Sequence, residues 1–278
     1  MLQIRIALAK LIKLIFKIGF VKDKYFGLYK RVFKPFKLFK GVVLRHSING
    51  INYDLHIDDW IQSQLYFLNE YEMPEIKALG RFLNDGDVFV DIGANIGLFT
   101  LNAANLVGEF GSVIAFEPFK MNWNSLKKNV LLNRYTNIKI ENFAIGEKNG
   151  EISLFYDDSE SNLGMVSFKE KGNSIKENIE SITLDTYIKN HSITKVDFIK
   201  LDIEGGEFNA LKGMIETLNR FKPTLLIEIL NDEFYKDNND SIENFLSNLG
   251  YSKFFIDDEG DVSKKQKELK RENYIFSQ

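Results

Sequence analysis

A chain of 278 residues with 44% hydrophobic and 27% charged side chains has the composition of a globular protein, long enough for one large core and a smaller appendage. It contains no cysteine, which excludes disulfides, thiolate metal sites and cysteine nucleophiles. The net charge of −3 hides a division: residues 1–45 carry twelve Lys or Arg against the single acid Asp23, a net of +11, and the rest of the chain carries −14, so a basic arm suited to an anionic partner precedes an acidic body.

Residues 1–40 read as helical, with Pro35 as a late breaker. Lys10, Lys13 and Lys17 share one face of the first helix, among Leu8, Leu11, Ile12, Leu14, Ile15 and Phe16. That pattern predicts an interfacial amphipathic helix and peripheral contact with the inner face of a membrane. The competing reading is a helix packed on the protein with a solvated basic face. No run reaches the roughly 18 uncharged apolar residues of a spanning helix. A signal peptide fits poorly, because charges interrupt the apolar stretch; the expected location is cytoplasmic. Two strand-like runs, Gly41–His46 and Ile51–His56, flank Asn49-Gly50 and predict a hairpin. Residues 58–84 carry helical spacing. The predicted organisation is a basic helical and hairpin extension over 1–70, followed by a second unit over 71–278.

From residue 87 strands and helices alternate: a strand at Val88–Val90, a helix to Leu106, strands at Ser112–Phe116 and Ile138–Ala144 around a helix at Asn122–Asn133. Strands at Gly150–Tyr156 and Ile179–Leu184 bracket a polar excursion over Asp157–Asn178, read as a flap. Alternation resumes with a strand at Val196–Ile203, a helix at Glu207–Leu218, a strand at Thr224–Leu230, a helix at Ser241–Leu249, and strands at Tyr251–Ile256 and Asn273–Phe276. This is the pattern of an α/β fold around a mostly parallel sheet.

Chemistry concentrates where strands end. Val90-Asp91-Ile92-Gly93-Ala94-Asn95-Ile96-Gly97 is a buried strand, a glycine turn and a helix start, the arrangement of a nucleotide-like cofactor site. It is not G-x-G-x-x-G, so the dinucleotide fingerprint is not met. Glu117, in Phe116-Glu117-Pro118, ends the next strand, where a carboxylate can accept from both hydroxyls of a ribose. Asp202, Glu204 and Glu207 place three carboxylates in six residues at another strand end. Helix-dipole stabilisation accounts in part for Glu207 but not for Asp202. Glu228, inside the apolar run Leu225–Leu230, is costly unless paired or at the open end of its strand. His46, His56 and His191 read as structural or surface residues.

Phe89 to Gly97, Ala115 to Pro118, and Asp197 to Glu207 together resemble the FkbM family of methyltransferases. Tyr71-Glu72, Thr183-Leu184-Asp185 and Pro223 to Glu228 fall in matching order, so the resemblance covers about residues 50–230. One departure is Gly206, where the family usually has alanine. The resemblance implies a class I methyltransferase, Rossmann-like fold with a seven-stranded, mostly parallel sheet and an antiparallel last strand. It implies S-adenosylmethionine as cofactor. Asp91, Gly93, Asn95 and Gly97 would lie around its methionine part, Glu117 at the ribose, Asn142 and Ala144 flanking the adenine, and Asp202 beside the methyl group, with Glu72 and Pro118 as further cofactor-binding candidates. It also implies hydroxyl methylation of a small molecule, sugar or glycan.

For that reaction Asp202 or Glu204 is the expected general base, with Glu228 a third candidate catalytic carboxylate. The same oxygens could instead meet a divalent cation, although the sequence offers no convincing further ligand pattern and no metal is expected. An NAD-dependent sugar-modifying oxidoreductase and a non-catalytic nucleotide-binding module are the alternatives. A specific nucleic-acid substrate is not expected, because Asp202-Ile203-Glu204-Gly205 stands where base-amine methyltransferases carry an acidic-Pro-Pro-aromatic tetrad. A composition rich in Lys, Asn and Ile points to an AT-rich bacterial source and to polysaccharide or lipid-linked acceptors.

Overall fold

The computed structural model describes residues 1–156, 175–229, 236–265 and 272–278, without the side chains of Phe20 and residues 236–238. The chain begins with α1 (Leu2–Phe16), α2 (Gly19–Lys22), α3 (Tyr25–Leu28) and a π-helical turn at Tyr29–Phe33. Phe16, Tyr25, Phe33 and Phe39 point inward and meet Phe67. These edge and tilted ring contacts bury large apolar areas with few conformers. β1 (Val43–Ile48) and β2 (Ile51–His56) form the expected hairpin. Asn49 and Gly50 both take positive φ, 51° and 82°, as a two-residue turn of matching twist requires.

The single helical stretch expected over 58–84 is two helices, α4 (Trp60–Leu68) and α5 (Met73–Phe82). Asp59 caps α4 by accepting from the Gln62 amide at 2.9 Å. The break between them runs through left-handed Asn69 and Glu72. Helical spacing continues across the break, and Pro74 in the first turn of α5 is the signal of the new start.

The central elements are β3 (Val88–Ile92), α6 (Leu98–Val107), β4 (Ser112–Phe116), α7 (Lys120–Asn133) and β5 (Ile138–Glu141). A small sheet follows, of β6 (Ala144–Ile145), β7 (Gly150–Tyr156) and β8 (Ile175–Ile182). Then come α8 (Leu184–Asn190), β9 (Phe198–Leu201), α9 (Glu207–Lys212), α10 (Ile215–Phe221), β10 (Thr224–Glu228), α11 (Lys236–Asn248), β11 (Ser252–Ile256), β12 (Val262–Ser263) and β13 (Asn273–Ser277). The main sheet has the order β12-β11-β13-β10-β9-β3-β4-β5. β5, β4, β3, β9 and β10 are parallel, and β13 runs antiparallel between β10 and β11. This is the expected seven-stranded, Rossmann-like sheet with the two-residue β12 added at its edge.

Some boundaries differ from expectation. The strand expected over 138–144 stops at Glu141, and Ala144–Ile145 pairs with β8 in the small sheet. The chain is diverted because the Asn142 amide donates to the Glu117 and Pro118 carbonyls, 2.9 Å each. β8 begins at Ile175, so the last four residues of the expected excursion are strand, and residues 157–174 lie outside the described part. Leu184 opens α8, capped by Thr183, whose Oγ1 accepts from the Thr186 amide. The helix expected over 207–218 is split at Gly213, where a Cβ would fall on the Gly146 carbonyl oxygen.

Apolar side chains pack on both faces of the sheet. On one face Phe89, Leu101 and Val113 share a core with Tyr53 and Phe67 of the N-terminal region. On the other, Val90, Ile199 and Leu201 pack with Leu211, Leu218 and Ile242. Among the described residues no helix is long and apolar enough to cross a membrane.

Asn129 ties the hairpin to the central domain. Its side chain is fully buried, accepts from the Asp54 amide and donates to the Ile96 carbonyl, 2.9 Å each. Asn129→Ala leaves two backbone groups without those partners, at a cost of about 2–4 kcal/mol. Thermal unfolding of this variant against wild type measures the loss.

Candidate active site

Six carboxylates, of Glu72, Asp91, Glu117, Asp202, Glu204 and Glu228, and one lysine gather at the carboxyl ends of the parallel strands. Asp91, on β3, is fully buried; its Oδ2 accepts from Thr100 Oγ1 at 2.5 Å, while Oδ1 is buried without a partner. The chain then turns at Gly93 (φ 85°), where a Cβ would fall on the Asp202 carbonyl, so only glycine permits the approach of this loop to β9. The Gly93 and Ala94 amides donate to the Phe116 carbonyl at 3.0 Å.

Asn95 is left-handed (φ 50°), and its amide donates to Glu117 Oε2 at 2.8 Å; the Phe119 amide donates to Oε1 at 2.9 Å. Each Glu117 oxygen thus receives one N–H. Burial pushes this carboxyl up to about 7, against the pull of the two amides.

Lys200 is the residue whose role the sequence did not show. It sits on β9, 3% exposed, with Nζ 2.8 Å from Asp202 Oδ2 and 4.6 Å from the Phe99 ring centroid. Burial alone would lower its pKa, but Asp202, Asp91 and Glu72 together raise it above the usual lysine range. The available signal was a lysine inside the apolar strand Phe198-Ile199-Lys200-Leu201, two residues before an aspartate.

Glu72 and Glu228 close the cluster. Burial, then the charge of Asp202, pushes Glu72 up to about 8. Burial, then Asp202, Glu204 and Glu72, pushes Glu228 up to about 11, and its Oε2 is buried without a hydrogen bond. Glu204 is left-handed (φ 53°) and followed by Gly205 at φ 95°. Glu207 holds that turn: its Oε1 accepts from the Ile203 and Gly205 amides at 3.0 and 3.1 Å.

Most of these groups border a cleft that is partly open to solvent; its empty space, open solvent included, is about 860 Å³. Glu72, Gly93, Asn95, Glu117 and Pro118 line it, as do Asp202, Glu204 and Glu228. Asp91 lies beneath the wall. Gly97 starts α6 against Leu126, Asn142 braces the Glu117 loop from outside, and Ala144 is buried in β6; these three do not line the cleft, and nor does any histidine. Ile61 and Leu65 of α4 and Leu154 of β7 supply apolar wall. Among the described residues no three His, Asp or Glu side chains group as a metal site; the cation compensating the cluster is Lys200.

A Gly-turned helix start beside a strand-end carboxylate, on a sheet with one inserted antiparallel strand, defines the Rossmann-like fold of class I methyltransferases. A crystal structure of Methyltransferase FkbM from Methylobacillus flagellatus KT shares it, with a TM-score of 0.50 and 18% identity over 78% of this chain and 52% of that one. The family model described as the Methyltransferase FkbM domain matches residues 91–253, and the chain belongs to that family of methyltransferases. Methyltransferase 1 of Beauveria bassiana is 24% identical over 149 residues, 47% of this chain and 59% of its own. Hexuronic acid methyltransferase AglP of Haloferax volcanii is 27% identical over 147 residues, 53% of this chain and 58% of its own. The match therefore spans less than two thirds of each of these relatives.

The raised carboxyls set the pH dependence of stability. Glu72, Glu117 and Glu207 each bind a proton more tightly folded than unfolded, with Glu207 also pushed up to about 7 by burial. Their stabilisation is fullest below the ordinary glutamate range and is lost as pH rises to about 8. His46, lowered by burial, opposes this over a narrower range near its ordinary value. The ligand-free protein is expected to melt at a lower temperature at pH 8 than at pH 5.5. Lys200→Met should steepen that fall and cost about 3–5 kcal/mol at the higher pH; melting curves of both proteins across the range check it.

Proposed function

We propose that this protein is an S-adenosylmethionine-dependent O-methyltransferase acting on a sugar or glycan hydroxyl. The observation that carries the reading is the cleft itself, which Glu72, Asp202, Glu204 and Glu228 line together with Lys200, whose ammonium sits among Asp202, Asp91 and Glu72. Carboxyls pushed up in pKa by burial and then by one another mark a site short of positive charge. A ligand carrying a sulfonium and an ammonium fits that deficit.

Glu117 fits the ribose of the same cofactor: each of its oxygens, having accepted one amide, keeps a lone pair for a hydroxyl. The cofactor supplies a methyl group already activated on sulfur. Gly93 and Asn95 would face its methionine part, and the half-buried Pro118 the adenosine.

The remaining work falls to the chain's own side chains. Lys200 holds Asp202 in place through the 2.8 Å contact. We assign the acceptor's hydroxyl proton to Glu204, which lines the cleft beside Asp202. Glu228, whose carboxyl is pushed toward the neutral form by burial and then by Asp202, would donate a hydrogen bond to the acceptor. Similarity to a hexuronic acid methyltransferase supports a sugar acceptor, and we place it among polysaccharide or lipid-linked sugars. The cofactor is made in the cytoplasm, which puts the reaction on that side of any membrane.

Calorimetric titration tests the cofactor. S-adenosylmethionine and S-adenosylhomocysteine should both bind, and Glu117→Ala should abolish binding of both; a folded protein that binds neither overturns the reading. Transfer of labelled methyl to hexose and hexuronic acid glycosides tests the acceptor. Glu204→Gln should lower kcat about 100-fold or more with cofactor affinity unchanged. Unchanged turnover would remove Glu204 from the base role.

A further inference from the structure

Helix α1 carries apolar residues on both sides. Ala9 and Phe16 face inward, Phe16 against Tyr25 and Phe67. On the opposite side Ile4 is 72% exposed, Leu11 57%, Leu14 59% and Ile15 43%, with Ala7 between them and Ile18, 50% exposed, just beyond the helix. Ile4, Leu11 and Ile15 recur at intervals of seven and four, and Ala7 and Leu14 at seven, so they form one stripe along the helix. A 15-residue helix presents that stripe over about 22 Å. Exposed apolar surface this continuous marks an interaction site rather than ordinary surface scatter.

The charges beside the stripe identify the partner. Lys10 and Lys17 are exposed and border it on one side. Lys13 is withdrawn: its Nζ lies 3.0 and 2.9 Å from the two ring nitrogens of His46 and over the Tyr66 ring. The segment that follows keeps the same character, with Phe36 73% exposed between Lys34 and Lys37. A second copy seated on this face would bring two segments of net +11 together. An anionic lipid surface supplies the opposite charge and an apolar layer for the stripe.

We infer that the outward face of α1 docks on an anionic membrane, with Ile4, Leu11, Leu14 and Ile15 entering the acyl boundary while Lys10 and Lys17 meet the headgroups. Helix α1 lies in the interface plane and does not span the bilayer. The inference concerns a surface separate from the cleft, and its test reads lipid binding rather than methyl transfer.

The full-length chain is sedimented with phosphatidylcholine vesicles, with and without phosphatidylglycerol. Binding is expected only to the anionic vesicles and should weaken at high salt. The triple variant Leu11→Gln/Leu14→Gln/Ile15→Gln changes exposed side chains only, so it should melt as wild type does and bind at least about tenfold more weakly. Lys10→Glu/Lys17→Glu should lose the preference for anionic lipid. Absence of vesicle binding, or equal binding by the triple variant, overturns the inference. So does a wild-type dimer that the triple variant converts to monomer, because the stripe would then be a self-association face.

Discussion

The buried contact between Lys200 and Asp202 is the interaction on which the site depends. A lysine at 3% exposure is tolerated only where anions surround it. Asp202, Asp91 and Glu72 do so from three different elements: the end of β9, the end of β3 and the turn before α5. Neither partner is stable there alone. Without the ammonium, the carboxyls would have to take up protons; without the carboxyls, the ammonium would be stranded beneath the sheet's open edge. The cluster therefore fixes the relative positions of the first loop, the fourth parallel strand and the N-terminal region at once.

Backbone conformation shows how tightly that edge is held. Glu72, Asn95 and Glu204 all line the cleft and all have positive φ. Asparagine tolerates the left-handed region, but a glutamate there costs about 1–2 kcal/mol. Two such glutamates persist because the surroundings determine their places: Asn273 reaches the Glu72 carboxyl, and Glu207 gathers the amides on either side of Glu204. Strain held at a cleft edge in this way is characteristic of functional positions.

Strand periodicity, the Asn49-Gly50 turn and the strand-end acids were all legible in the sequence, because each is a local signal. The alternation that builds the sheet and the motifs matched by the family follow from such signals, whereas the antiparallel insertion was implied by the resemblance. The break between α4 and α5 keeps helical spacing and is marked in the sequence by Pro74, in the first turn of α5. What the sequence did not show is non-local. The diversion of Asn142 and Ala144 from the main sheet depends on hydrogen bonds to the Glu117 loop, 24 and 25 residues away. Lys200 read as one polar residue in an apolar run; only the assembled sheet shows the acids around it. Of Asp202, Glu204 and Glu228, three acids that the sequence brings to strand ends, Asp202 contacts the lysine.

The N-terminal region is part of the same construction. Ile61 and Leu65 of α4 face the cleft, and Tyr71 and Glu72 continue that wall across the break into α5. A division of the chain at residue 70 thus passes through one continuous surface. Helix α4 also packs on α1, and the aromatic cluster that joins them includes Phe16 and Phe67. The basic arm is therefore connected through rigid, buried contacts to the wall of the site. Docked through its outward apolar stripe as inferred above, α1 would hold the cleft at a fixed angle to the membrane, because its inward side is anchored in the core that also carries the cleft wall.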